Sequence, residues 1–191
     1  MALVIALGVL VSGSGSNLQA ILDAVAAGKL DARVAVVVSN VASAGALERA
    51  RKAGVEAVVV DHTAFPDRKA FDAAVVEVLR ARGVEVVVLA GFMRLVTAVL
   101  LDAYPARVVN VHPALLPSFP GVHAQKQALD YGVRVTGCTV HFVDAGTDTG
   151  PIIAQEAVPI LEGDDEQALA RRVLAREHEL LPRVLQLMAE G

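Results

Sequence analysis

The sequence predicts an α/β protein: an open, mostly parallel sheet with helices on both faces and a C-terminal half that extends the sheet. Three observations carry that prediction. Short apolar, β-branched runs recur up to residue 111 without alternating polar and apolar positions. Strands buried on both faces read this way, as in a parallel sheet covered by helices. Segments of helical period separate the runs and close at glycines. Beyond residue 111 the rhythm changes to a proline-rich segment, a short helix, two further strands and a long terminal helix.

The elements follow in order. The strand runs are Leu3–Val11, Val34–Val38, Val55–Val60, Val84–Ala90 and Val108–Val111. In the first helical segment Leu18, Ile21, Leu22 and Val25 share a face, and Gly28 is placed to end it in the left-handed conformation. A second helix covers Leu47–Ala53 and stops at Gly54. A third covers Arg68–Arg82, with Phe71, Val75, Val78 and Leu79 inward, and stops at Gly83. Pro113, Pro117 and Pro120 keep His112–Gly121 from being a regular helix or a central strand. A helix over Ala124–Tyr131, strands over Thr136–Val143 and Ile152–Val158, and a helix near Asp165–Met188 complete the chain. Pro182 is expected to kink or break that last helix. The chain reads as one domain over 1–191, with a Rossmann-like, phosphate-binding half over 1–109 and a catalytic half over 110–191.

Composition excludes several classes. The 191 residues are 54% apolar and 20% charged, which is incompatible with disorder. A net charge of −4 without a basic block leaves no footprint for nucleic acid or an anionic membrane surface. Cys138 is the lone cysteine, so an internal disulfide and a cysteine-based zinc site are both excluded, and it reads as a small buried group. The apolar Met1–Val11 run lacks the basic flank and cleavage site of a signal peptide and is shorter than the about 20 residues that span a bilayer. The expected compartment is the cytoplasm.

The first strand runs into Ser12-Gly13-Ser14-Gly15-Ser16-Asn17 and then a helix. Small residues let backbone N–H groups approach an anion, and the helix N-terminus favours negative charge there. A P-loop would need Gly-Lys-Ser/Thr, and there is no lysine. The dinucleotide fingerprint fails at Leu18 and again at Ser39-Asn40, where an acidic residue is expected. A cradle for a terminal phosphate monoester remains, with Ser16 and Asn17 as further donors. An ordinary strand-to-helix turn stands beside it as the alternative.

Asn110 and His112 lie at a strand end, where open α/β sheets bind ligands. Two positions apart, they point to the same side of an extended chain. The glycine-rich loop Asp144–Gly150 supplies carboxylates, Asp148 among them. A carboxylate beside an imidazole favours the imidazolium. Together with an amide N–H, an imidazolium can stabilise an oxyanion, which suits acyl transfer without a covalent enzyme intermediate. Residue spacing alone does not pair His112 with Asp148, and each also fits a purely scaffolding role. His62, His123, His141 and His178 lack metal-ligand spacing, and no metal is assigned. His141 reads either as a support behind the Asp144–Asp148 loop or as a hydrogen-bonded core residue. Tyr104 and Tyr131 read as packing residues.

Four stretches, in order along the chain, resemble the phosphoribosylglycinamide formyltransferase family, a branch of the formyl-folate hydrolase and transferase superfamily. They are Ser12–Ala20, Val87–Arg94, the Asn-x-His-Pro-x-Leu-Leu-Pro element of Asn110–Pro117, and Val140–Asp144 with Asp148–Pro151. The resemblance implies formyl transfer from 10-formyltetrahydrofolate, as co-substrate, to glycinamide ribonucleotide in purine (IMP) synthesis. It implies Asn110, His112 and Asp148 as the catalytic trio. Gly15, Ser16, Asn17 and Glu177 would hold the ribonucleotide, and Arg68, Met93, Arg94, Leu95, Val96 and Asn110 the folate. Ser14 stands where some relatives carry Asn. The implied partners are these small molecules, with no nucleic acid or membrane, in a monomer or homodimer. A formyl-folate hydrolase and a non-catalytic phosphometabolite-binding protein are the alternatives.

Overall fold

The computed structural model describes residues 4–191; Leu3, the expected start of the first strand, lies outside them. The first half runs β1 (Ile5–Val11), α1 (Ser16–Ala26), β2 (Ala32–Ser39), α2 (Gly45–Lys52), β3 (Ala57–Val59), a short 3-10 turn (His62–Ala64), α3 (Arg68–Arg80), β4 (Val86–Leu89) and α4 (Ala98–Ala103). The remainder is β5 (Val108–His112), α5 (Ala124–Tyr131), β6 (Val135–Phe142), β7 (Ile152–Pro159) and α6 (Glu166–Glu190). The 3-10 turn and α4 are additions to the expected elements. α4 is six residues long and capped by Thr97, too short to show a helical period in the sequence.

The seven strands form one open sheet in the order β3-β2-β1-β4-β5-β6-β7. β1 to β5 are parallel, and β6 and β7 add antiparallel strands at one edge. The chain turns outward from β1 in both directions, so the crevice beyond the carboxyl ends of β1 and β4 is the topological switch point.

Continuous apolar strands serve two cores. Leu7, Val9 and Val11 of β1 and Val86 and Val88 of β4 pack with Leu18 and Ile21 of α1 and with Leu169, Val173, Leu181 and Leu185 of α6. The alternate positions Leu10, Val87 and Leu89 meet Phe71, Val75 and Leu79 of α3 and Leu100 of α4 on the other face. Gly8 belongs to this second face. A Cβ there would lie 2.5 Å from Leu79 Cδ2, so its missing side chain lets α3 sit close.

α6 departs from expectation: it runs unbroken through Pro182. Leu180, Leu181, Val184 and Leu185 are all buried around the proline, and this tertiary packing keeps the helix from ending there. Tyr104 is buried as expected, whereas Tyr131 is 80% exposed and meets Phe119 edge-on at the surface. Among the described residues no helix is long and apolar enough to cross a membrane.

Candidate active site

β5 and β6 build the centre of the site. In their antiparallel register Asn110 faces His141 and His112 faces Thr139. Asn110 Nδ2 lies 3.2 Å from His141 Nε2, and His141 Nδ1 lies 2.9 Å from the Phe142 carbonyl. With Nδ1 directed at the Phe142 carbonyl, Nε2 faces the Asn110 amide. One side of the Asn110 amide is thereby fixed.

The loop between β6 and β7 returns Asp148 to the same point. Asp148 Oδ2 lies 3.3 Å from His112 Nδ1, and its Oδ1 lies 3.7 Å from His141 Nε2. Gly121 N–H donates to Oδ2 at 2.7 Å. The remaining nitrogen of His112, Nε2, lies 2.8 Å from the Phe119 carbonyl. Both ring nitrogens thus face oxygen atoms, which hold the imidazole from two sides. Burial opposes ionisation of Asp148, but His141, the Gly121 N–H and the charge of His112 outweigh it and hold the carboxyl below its ordinary value. Phe119, His123 and Asp148 all have positive φ without being glycine, at 54°, 56° and 55°. This concentration of uncommon backbone surrounds the two histidine–acceptor contacts.

The proline-rich segment is held from below by Thr139. Its hydroxyl, fully buried, donates to Ala114 O at 2.7 Å and accepts from Leu116 N–H and from Gln155 Nε2. Neither Thr139 nor Gln155 stood out in the sequence, because a threonine and a glutamine within strands carry no motif. Their position opposite the prolines follows only from strand pairing.

These groups open into a cavity of about 580 Å³ that Asn110, His112, His141 and Asp148 line together. Its other wall is the Gly91–Val96 segment that follows β4, which includes Met93, Arg94, Leu95 and Val96. Arg94 is no simple surface charge: its guanidinium stacks 5.5 Å above the Phe71 ring. Arg68, the first residue of α3, is not among the residues that line the cavity.

The Gly/Ser loop is the second part. Gly15 precedes α1 with φ of 77°, and a Cβ there would lie 2.6 Å from the Ala46 backbone, so glycine is required for α2 to close over the loop. Ser16 opens α1 and lines a separate groove of about 780 Å³ beside α6. Asn17 turns inward: its Nδ2 donates to Glu177 Oε2 at 2.8 Å, with both side chains buried. Burial raises the Glu177 carboxyl above its ordinary value, although the Asn17 bond works the other way. The loop and the cavity are joined through Ser12. Its N–H donates to Gly91 O at 3.0 Å, and its hydroxyl accepts from Met93 N–H at 2.9 Å. Of the expected ribonucleotide and folate residues, Met93, Arg94, Leu95, Val96 and Asn110 line the cavity, whereas Gly15, Ser16, Asn17, Glu177 and Arg68 lie outside its lining, with Ser12 as the link to the loop. The 1–109 and 110–191 halves interleave: Asn17 of the first half bonds Glu177 of the second.

A profile described as formyl transferase matches residues 6–185. The chain belongs to the formyl transferase family. Within that family, a phosphoribosylglycinamide formyltransferase of Escherichia coli (strain K12) is 43% identical over 96% of this chain and 86% of its own length. The crystal structure of glycinamide ribonucleotide transformylase 1 from Symbiobacterium toebii superposes with a TM-score of 0.99 at 57% identity, covering 100% of this chain and 90% of that one. The trifunctional purine biosynthetic protein adenosine-3 of Drosophila pseudoobscura pseudoobscura is 49% identical over 96% of this chain, which spans only 14% of that protein's length.

Proposed function

We propose that this chain transfers the formyl group of 10-formyltetrahydrofolate to the primary amine of N1-(5-phospho-D-ribosyl)glycinamide, giving the N2-formyl product and tetrahydrofolate, a step of purine biosynthesis. The observation that carries this reading is the convergence of Asn110, His112 and Asp148 on one cavity whose opposite wall is tied by Ser12 to the Gly/Ser loop.

The substrate amine is the nucleophile, so the protein need not supply one. Cys138 is unsuited to the task, because burial pushes its thiol up to about 12. Attack on the formyl carbon places negative charge on the formyl oxygen. Asn110, held beside His141, presents an amide N–H to that oxygen. The formyl oxygen takes the place of the Phe119 carbonyl at His112 Nε2, and Asp148 holds the ring and its charge from Nδ1. Each such donor is typically worth about 10²–10³ in kcat. Asp148 also stands where it can relay the amine proton, through water, toward the leaving folate nitrogen.

The cavity accepts a flat ring system between the Gly91–Val96 wall and the Asp144–Asp148 loop, and Arg68 and Arg94 offer charge to the acidic tail of the folate. Gly15, Ser16 and the α1 N-terminus hold the phosphate, with Asn17 and Glu177 shaping the ribonucleotide side. The deciding experiment mixes the protein with 10-formyltetrahydrofolate, with and without glycinamide ribonucleotide. The reading predicts consumption of formyl-folate only when the amine is present. Consumption without it would instead identify a hydrolase, and consumption in neither case a binding protein.

A further inference from the structure

The Gly91–Val96 wall is exposed at its centre, where Met93 is 72% and Leu95 53% accessible. What fixes its course lies at its two ends. At one end Ser12 bonds Gly91 and Met93. At the other, Thr97 donates twice to the same carboxylate oxygen of Asp72, from its N–H at 2.6 Å and from its hydroxyl at 2.8 Å. Asp72 lies on α3, is 3% exposed, and takes no part in the chemistry derived above. A buried carboxylate is costly to keep unless it is well bonded. Burial raises the Asp72 carboxyl, and the Thr97 bonds with the charges of Arg94 and Arg68 pull the other way.

The neighbours of Asp72 connect it to the cavity twice. Phe71, the preceding residue, stacks on Phe92 at 6.4 Å and carries Arg94 on its ring. Thr97, its hydrogen-bond partner, also caps α4, so the wall ends at a fixed helix start. We infer that Asp72 is a positioning residue for the folate subsite: its buried carboxylate pegs Thr97 while the adjacent Phe71 carries Phe92 and Arg94, setting the path of the Gly91–Val96 wall and the aim of its arginine. The inference rests on the proposed assignment of that wall to the folate.

The test is steady-state kinetics with each substrate varied in turn. Asp72→Asn keeps acceptor oxygen for Thr97 but removes the charge. It is expected to raise the KM for 10-formyltetrahydrofolate about tenfold, the scale of one weakened charge-assisted hydrogen bond. kcat and the KM for glycinamide ribonucleotide should change less than about threefold, a split that general loosening of the fold would not produce. Thr97→Val removes one of the two hydrogen bonds and leaves the carboxylate charged, so it carries the test if Asp72→Asn fails to fold. It should raise the folate KM by about threefold, a smaller step in the same direction. Unchanged folate KM, or equal rises for both substrates, would overturn the inference. Arg94→Ala separates the two levels. If it raises the folate KM while Asp72→Asn and Thr97→Val do not, only the role of Asp72 falls. If Arg94→Ala leaves folate KM unchanged, the assignment of the wall falls with it.

Discussion

Asn17 Nδ2 donates to Glu177 Oε2 at 2.8 Å across 160 positions of sequence, joining the start of α1 to the middle of α6 behind the Gly/Ser loop. The Gly/Ser loop, the proposed phosphate cradle, therefore rests on a buried amide–carboxyl pair. Because burial raises the Glu177 carboxyl, the folded state holds its proton more tightly than the unfolded chain. Its contribution to stability is then fully present below the ordinary glutamate value and is lost as pH rises through the raised folded value. Glu177→Gln should flatten this decline in denaturant midpoints measured upward from about pH 4.5. Glu177→Ala, which strands the Asn17 amide, should be less stable than Glu177→Gln by about 1–3 kcal/mol. Both should raise the KM for the ribonucleotide more than that for the folate.

Under the proposed mechanism His112→Ala removes an oxyanion donor and should lower kcat by about 10²–10³. Asp148→Asn keeps the shape of the loop but loses the charge that orients His112 and assists proton movement, for an expected loss of roughly 10²–10⁴. Ribonucleotide binding, measured by calorimetry, should survive both changes. Near wild-type turnover in both variants would remove the trio from the mechanism.

The depressed Asp148 carboxyl makes a prediction about acid. A carboxylate whose folded value lies below its unfolded value adds stability above the unfolded value, and that stability is lost as pH falls through the folded one. The stability gap between the wild type and Asp148→Asn should hold from neutral pH to about pH 4 and narrow below it. An acidic fall in kcat that sets in above pH 5 should therefore persist in other groups' titration, not follow Asp148.

Thr139 tests the support beneath the proline-rich segment. Thr139→Val keeps the shape but leaves the Leu116 N–H without its partner inside the core, at a cost of about 1–3 kcal/mol in chemical denaturation. Freed from Thr139, the segment bearing Phe119 and Gly121 holds His112 and Asp148 less firmly, so kcat should fall as well.

Much of the fold was legible before the structure. Val86–Leu89 is buried at every position, as the unbroken apolar run of a strand in a parallel sheet covered on both faces requires. Gly28, Gly54 and Gly83 end their helices with positive φ, a demand that glycine alone meets at little cost. The helix does not break at Pro182. Local propensity opposes a helix there, and the buried leucines around it override that propensity.

The amino-acid sequence by itself determined the strands and the longer helices, their order, and the pairing of Asn110 with His112 on one side of a strand end, because these depend on periodicity and local backbone limits. Tertiary structure alone decided that Asp148 reaches His112, that His141 clasps Asn110, that Asn17 turns inward to Glu177, and that Asp72 lies behind the cavity wall. Each of those joins residues whose spacing carries no period. Such contacts exist only once strand register and helix packing bring distant segments within hydrogen-bond reach.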